Sequence, residues 1–428
     1  MELLNKCINL LKEKGAQKAE VFLTKEVKEE INISCGEISL LRTMEEYNLE
    51  MTAIIDNKKD TIKINQIDVK TLEEAVDELI NNTLNSQPDE ANDISDNILE
   101  KNYQAEKLGA DIPLMHKRFQ NFIEKAKRDY PELVIGEAVL EYNDKYEYYY
   151  NSNGVKLSSN FDNYSFMTMF FSKKDKKTSS FNYTIITAQD LEKEIHELGS
   201  LSILMKESVE HLEPQSIETK KFTGDIIVTP DCMTSLIYIL AAHLQNYYMI
   251  SGISKFAGKL NEKVLDEKFT LKTEPDSDIL AGKKYFGKDG LIYNNDYIFK
   301  NGVLNNYLLD LYGSKKTNLK TGPSNGNYFI VENGDKPLSE MIKGIDKGII
   351  LCRFSGGNPA PNGDFSGIAK NSYYVENGEI KYPIKETMVS GNLFNMFENI
   401  KDISKEFINS GFSSFPYIKF SDVVISSK

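Results

Sequence analysis

Leu3, Leu4, Cys7, Ile8 and Leu11 recur at helical spacing, and Gly15 ends the run, which predicts a short amphipathic helix. Short strands are expected at Ala19–Leu23 and Ile31–Cys35. Leu49, Met51, Ala53 and Ile55 alternate with period two; Asp56–Lys59 reads as a turn, and Ile62 and Ile64 carry the pattern back. Leu72, Ala75, Val76, Leu79 and Ile80 return to helical spacing. Strands between two helices, with only one face apolar, predict an α+β unit with an antiparallel sheet over residues 1–95.

Residues 83–112 are polar and contain Pro88, so they read as an excursion or linker between subdomains, with room for some local helix. Pro113 suits the first turn of a helix whose stripe is Met115, Phe119, Phe122 and Ala126. A meander is expected next: Ala138, Leu140 and Tyr142 lead to a turn at Asn143-Asp144, then Tyr146, Tyr148 and Tyr150 to a turn at 151–154. Strands near Tyr164–Phe171 and Phe181–Ile186 and a helix over Asp190–Val209 complete a central unit, 96–215. The tyrosines read as strand residues packing on neighbours. Pro214 opens a junction, followed by a strand at Asp225–Thr229 and, after Pro230, an apolar helix through Met233, Leu236, Ile237, Leu240, Leu244 and Tyr247. Thereafter short strands alternate with glycine turns at 288–290, 300–302, 332–334 and 376–378, with one helix near Leu338–Gly344. The fold class is α+β: two N-terminal helix–antiparallel-sheet subdomains and a strand-rich, glycine-turn-rich C-terminal domain over 216–428.

The 428 residues suffice for two or three cores. A net charge of -13 opposes nonspecific binding to nucleic acid or anionic lipid, and Lys173–Lys177 reads as a solvated turn. Cys7, Cys35, Cys232 and Cys352 show no CxxC spacing and are expected as reduced, buried thiols. Neither a signal-peptide pattern nor a run of ~20 apolar residues is present, which makes cytoplasm the expected compartment. His196-Glu197 begins a zinc-protease motif, but Ser200 and Leu201 stand where a second histidine would share its helical face. His116, His211 and His243 are not paired by spacing either. Spacing therefore assigns no catalytic, cofactor or metal residue, although folding could still assemble a composite site from His196, His211 or His243 with cysteines and carboxylates.

The most unusual stretch is Arg353–Ala369, Arg-Phe-Ser-Gly-Gly-Asn-Pro-Ala-Pro-Asn-Gly-Asp-Phe-Ser-Gly-Ile-Ala. It lacks the glycine spacing of a dinucleotide loop and the Gly-Lys-Ser/Thr ending of a P-loop. Its glycines and prolines predict an ordered loop, either at a cleft or interface or purely structural. With Tyr374–Ile380, Tyr382-Pro383, Val389–Leu393, Ser254–Leu260 and Thr321-Gly322, it closely resembles the signature of the TldD/PmbA family, also called modulators of DNA gyrase. The match favours the PmbA (TldE) branch, with Pro361-Asn362 a departure inside the signature.

That resemblance implies a metalloprotease-related fold whose TldD branch holds zinc on a helical His-Glu-x-x-x-His motif, with a cysteine downstream. The corresponding positions here are Ile237, Tyr238 and Ala242, and His243 stands alone, while Cys352 reads as core. The expectation is a metal-free subunit of a peptide-processing protease assembly acting on peptides or unfolded segments. Its zinc would reside in a TldD-like partner, and the isolated chain could form a homodimer. Ser254, Phe256, Gly356, Asn358, Pro359, Gly363, Asp364 and Ser366 are the candidate cleft or interface residues. The alternatives are an independently active metallopeptidase with a composite site and a non-enzymatic peptide- or protein-binding protein. Direct gyrase inhibition is disfavoured by the acidic composition.

Overall fold

The structure is a computed structural model that describes residues 2–34, 36–96, 99–105 and 107–427. Helix α1 (Glu2–Glu13) and helix α2 (Val69–Asn85) lay Leu4, Leu11, Leu72 and Leu79 on strands β1 (Lys18–Ser34), β2 (Glu37–Ile55) and β3 (Lys58–Ile64). The two strands expected at Ala19–Leu23 and Ile31–Cys35 are one. The charged segment between them is held because β2 and a later strand satisfy its backbone on both sides, Lys25 facing Tyr47 and Tyr146. Cys35 lies outside the described residues. Asp56 and Asn57 both take positive φ, the geometry of a tight hairpin.

The expected linker contains a strand, β4 (Glu100–Gln104). Asp111 caps helix α3 (Ile112–Asp129), followed by β5 (Leu133–Asn151), β6 (Lys156–Lys174), β7 (Lys177–Thr178) and β8 (Asn182–Ala188). The expected turn at Asn143-Asp144 does not form. Both residues are paired on two sides, with Asn163 and Asp162 and with Lys28 and Val27, so tertiary pairing overrides local turn preference. The turn at 151–154 does form, with Asn151 Oδ1 accepting from the N–H groups of Asn153 and Val155. The strand order is β3-β2-β1-β5-β6, and β4 and β8 share the far edge of β6 end to end. Segments 1–95 and 96–215 thus contribute to one sheet. The single helix expected over Asp190–Val209 is instead a short 3-10 turn at Ile195–Glu197 and helix α4 (Leu201–Glu210). Gly199, at φ +51° against the Ile186 side chain, separates them.

The C-terminal body has β9 (Lys221–Val228), α5 (Pro230–Ala242), α6 (Asn246–Ile250), β10 (Leu271–Thr273), β11 (Asp296–Lys300), β12 (Val303–Leu304), α7 (Leu311–Thr317), β13 (Phe329–Val331), α8 (Leu338–Lys343) and β14 (Lys347–Leu351). It continues through β15 (Arg353–Ser355), β16 (Asp364–Lys370), β17 (Tyr373–Glu376), β18 (Glu379–Pro383), β19 (Thr387–Asn392), α9 (Leu393–Glu398), β20 (Ile400–Asn409) and β21 (Ser414–Ser426). These strands make one mixed sheet in which β21 contacts β9, β13, β19 and β20. The helix expected to reach Tyr247 stops at Ala242, and α6 follows after a turn through His243 and Leu244. Strands and helices of both halves give the α+β architecture expected from the pattern.

The two halves meet along a seam. Lys284 Nζ lies 2.6 Å from Glu147 Oε1, with both side chains largely buried. Tyr103 stacks on Tyr285, Phe22 meets Phe286 edge-on, and Lys288 reaches Glu50. Gly290, at φ +76°, sits where a Cβ would come 2.4 Å from the Tyr149 ring. Removing Lys284 leaves the buried Glu147 charge with only the longer 3.6 Å pairing to the partly exposed Lys145, and under-compensated buried charge is costly. We therefore expect Lys284→Met to lower unfolding stability by about 3 kcal/mol. Adding Glu147→Gln should restore at least half of the loss, measured by urea denaturation of the two single variants and the double variant.

Candidate functional site

The sequence places an unpaired strand edge on each side of one gap. On the N-terminal side is β8, which pairs only with β6 among the described residues. Its start is pinned where Asn371 and Arg353 donate to Phe181 O, and its end where Thr187 N donates to Ser410 O at 2.7 Å. On the C-terminal side is β15, paired only with β16 among the described residues, and running into the loop Gly356–Pro359. Between them lies a cavity of about 540 Å³, within the usual size range of small-molecule and peptide pockets. Ile185, Leu236, Ile239, Phe354, Phe365 and Phe412 form much of its wall.

Helix α5 supplies the polar side of this cavity. Asp231, Ser235 and Ile239 recur every four residues and all line it. Asp231 is accessible from the cavity although protein encloses it beyond, and it accepts a 2.7 Å bond from Ser200 Oγ. Burial raises its carboxyl above the ordinary value. Behind it, Cys352 Sγ lies 3.6 Å from Glu207 Oε1, and Glu207 Oε2 has no hydrogen-bond partner among the described residues. Burial pushes Glu207 up to about 8. The Cys232 thiol is raised to about 12 and the Cys352 thiol well above its usual value, again by burial. Protonated thiols are poor nucleophiles and poor metal ligands. Cys7, Cys232 and Cys352 are free and buried.

A second cavity, about 310 Å³, opens at the C-terminal end of α5, where Ala242 faces Asn246, Asp289, Tyr293 and Asp310. Its carboxylates hold backbone: Asp289 accepts from Leu291 N and Leu311 N, and Asp310 caps α7 through Gly313 N. Ile237 is fully buried, and Tyr238 packs edge-on against Phe329. His243 is buried against Tyr248, Phe394 and Phe256, its Nδ1 accepts from Lys255 N, and burial pushes it down to about 4. His211 is buried with a carbonyl facing each ring nitrogen, His196 lies in the 3-10 turn, and His116 on α3. Among the described residues no three His, Cys, Asp or Glu side chains gather for a metal ion. The residues present therefore do not fit a zinc centre at α5.

Of the expected cleft residues, Gly356, Asn358 and Pro359 line the larger cavity. Gly356 is required there, since a Cβ would lie 2.5 Å from Gly367 Cα. Gly363, Asp364 and Ser366 stand apart from the wall; Asp364 binds Asn362 and Asn392 side chains, and Ser366 faces Ser390 in the ladder. Ser254 and Phe256 line neither of the two cavities. Ser254 Oγ ties the turn to His243 O, and Phe256 is core, 1% exposed. Sequence reasoning missed Asp231, Glu207 and Arg353 as site residues. Glu207 carried a usable signal, a lone acid on the apolar stripe of Leu201, Leu204 and Met205.

Residues 221–427 match the model of the PmbA/TldA metallopeptidase C-terminal domain. A metalloprotease PmbA homolog from Buchnera aphidicola subsp. Acyrthosiphon pisum is 29% identical over 252 residues, 55% of this chain and 56% of that protein. The chain spans about half the length of the curated relatives it matches. TldE from Thermococcus kodakarensis superposes with a TM-score of 0.82 at 18% identity, covering 99% of this chain and 100% of that one. A candidate modulator of DNA gyrase from Bacteroides thetaiotaomicron superposes at 0.86 with 23% identity, covering 100% and 98%. These structures share the fold. No helix among the described residues is long and apolar enough to cross a membrane.

Glu207 gives the site a pH signature. Its folded value lies above the unfolded one near 4.3, so the folded state keeps the extra proton between the two. Stability should fall as pH rises through about 4.3 to 8 and then level, the loss reaching at most about 4–5 kcal/mol at 1.36 kcal/mol per unit. Glu207→Gln should flatten that decline in thermal melts taken from pH 5 to 9, read against the wild-type chain.

Proposed function

Because this chain belongs to the PmbA/TldD family through its C-terminal domain, residues 221–427, we propose that it acts as a metal-free, PmbA/TldE-like subunit of a metalloprotease assembly. A TldD-like partner carries the zinc, and the pair acts on peptides or unfolded segments. One observation carries this reading. The helix on which the family's resemblance implies a His-Glu-x-x-x-His motif has Ile237, Tyr238 and Ala242 in those places: Ile237 is core, Tyr238 packs on Phe329 and Ala242 lines the smaller cavity. Zinc hydrolysis needs nitrogen, sulfur or oxygen ligands and a base beside the metal-bound water. Ile237 and Ala242 supply neither, and burial raises the Tyr238 phenol, which keeps it protonated.

The remaining polar groups around α5 support the same division of labour. His243 is held neutral inside an aromatic cage, and Asp289 and Asp310 are engaged by backbone N–H groups. What the chain keeps is an ordered cavity between two open strand edges, suited to holding an extended segment by main-chain bonds and side-chain pockets. Its role in the assembly is to bind and position.

The purified chain should contain far less than one zinc per molecule by elemental analysis and should not cleave unfolded casein. Mixing it with a zinc-bearing TldD-like protein should give a stable complex on size exclusion, with cleavage abolished by chelator. Stoichiometric zinc with chelator-sensitive cleavage by the chain alone would sink the proposal, as would failure to associate with any such protein from the same cell.

A further inference from the structure

The larger cavity holds two ionic side chains without counterions. Arg353 lines it with its guanidinium stacked 4.0 Å from the Phe181 ring centroid and 5.4 Å from that of Tyr183. Nη1 donates to Phe181 O, while Nε and Nη2 have no acceptor among the described residues, and no described carboxylate lies within ion-pairing distance. Stacking on an aromatic ring and a tie to a carbonyl hold the guanidinium fork in place, the form in which it binds a carboxylate best. Next to it, the N–H groups of Gly356, Gly357 and Asn358 donate to no described protein acceptor, and Gly357 turns the chain at φ +79°. Consecutive free backbone donors beside a cation form an anion-binding concavity.

Asp231, the second ion, accepts only from Ser200 Oγ among side chains and has no cation within pairing distance among the described residues. Arg353 and Asp231 are not paired with each other. The same cavity is lined by the apolar Leu236, Ile239 and Phe354, with Thr234 and Ser235 the polar groups of α5 beside Asp231. Glu207, deeper in, is kept protonated near neutral pH, so Asp231 is the group available to a cation. An unpaired cation and an unpaired anion in one cavity with a largely apolar lining complement a ligand with the opposite charges on an aliphatic spacer.

The geometry points to recognition of a peptide's carboxy-terminal basic residue: its free carboxylate on Arg353 and the Gly356–Asn358 backbone, its lysine or arginine stem along Leu236 and Ile239, and its cationic tip on Asp231. This deepens the reading of the chain as the binding subunit of a peptide-processing assembly, and rests on it. The site is separate from the smaller cavity at the end of α5, which Ala242 lines. Recognition adds a specificity step, selecting segments by how they end.

The test uses the full chain and a fluorescein-labelled Gly-Ser-rich peptide ending in Ala-Lys, with binding read by fluorescence anisotropy. The free acid should bind at least tenfold tighter than the same peptide as its C-terminal amide, and at least tenfold tighter than the acid ending in norleucine. Arg353→Gln should erase the acid-over-amide preference, and Asp231→Asn the lysine-over-norleucine preference. The wild-type comparisons decide the matter even if a variant fails to fold. Equal binding of acid and amide, equal binding of the lysine and norleucine peptides, or no binding overturns the inference. Mass spectrometry of the bound peptide separates the two readings. Cleaved peptide with both preferences intact would sink the metal-free reading and keep terminus recognition, whereas uncleaved peptide with no preference would do the reverse.

Discussion

Closure of the seam between the N-terminal sheet and the C-terminal body is the constraint on which the rest depends. Lys284 and Glu147 are removed from water together, and burial pushes the Lys284 ammonium down while Glu147 opposes it. Around them Tyr149 donates to Glu20, whose carboxyl burial raises to about 7, and aromatic pairs from both halves fill the space. Neither half owns the larger cavity: β8 and α4 supply one side, and α5, β15 and the glycine-rich loop the other. Were the seam to slide by one strand spacing, the apolar wall would open to water and Arg353 would lose the Phe181 ring and carbonyl that hold it.

Much of this architecture was legible in the sequence, and the failures have physical causes. Helices α1, α2 and α3 followed from apolar periodicity, because each buries one clean stripe. The misplaced turn at Asn143-Asp144 and the split of β1 share one origin. Both segments are polar, yet they lie in the middle of a sheet where two neighbours pair with them, and pairing is invisible to a local pattern. The break between α5 and α6 was hidden for the opposite reason, since apolar residues continue through the turn and bury on either side of it.

The site was legible in a different proportion. In the glycine-rich stretch Gly356, Asn358 and Pro359 line the larger cavity, and glycine there reports close backbone approach. Ser254 and Phe256 belonged to an equally distinctive sequence but to a packing role, where Ser254 closes a turn and Phe256 fills the core. Distinctive sequence marks constraint, and constraint comes from packing as readily as from binding. Asp231 could not be singled out in advance, since an acid in the first turn of a helix is ordinarily explained by the helix dipole. Only the cavity beside it gives that carboxylate another meaning.

The placement of β21 has a consequence for how the molecule is made. This strand, the last in chain order, is hydrogen-bonded to β9, β13, β19 and β20, elements spread over almost the whole C-terminal body. During synthesis β9 leaves the ribosome with its neighbour still some two hundred residues from translation, and long-range pairing of this kind is slow. The N-terminal sheet, complete by β8, meets no such delay. The nascent chain therefore carries a finished half and an open, apolar-edged half through most of its elongation, a state in which chaperone access would matter more than for either half alone.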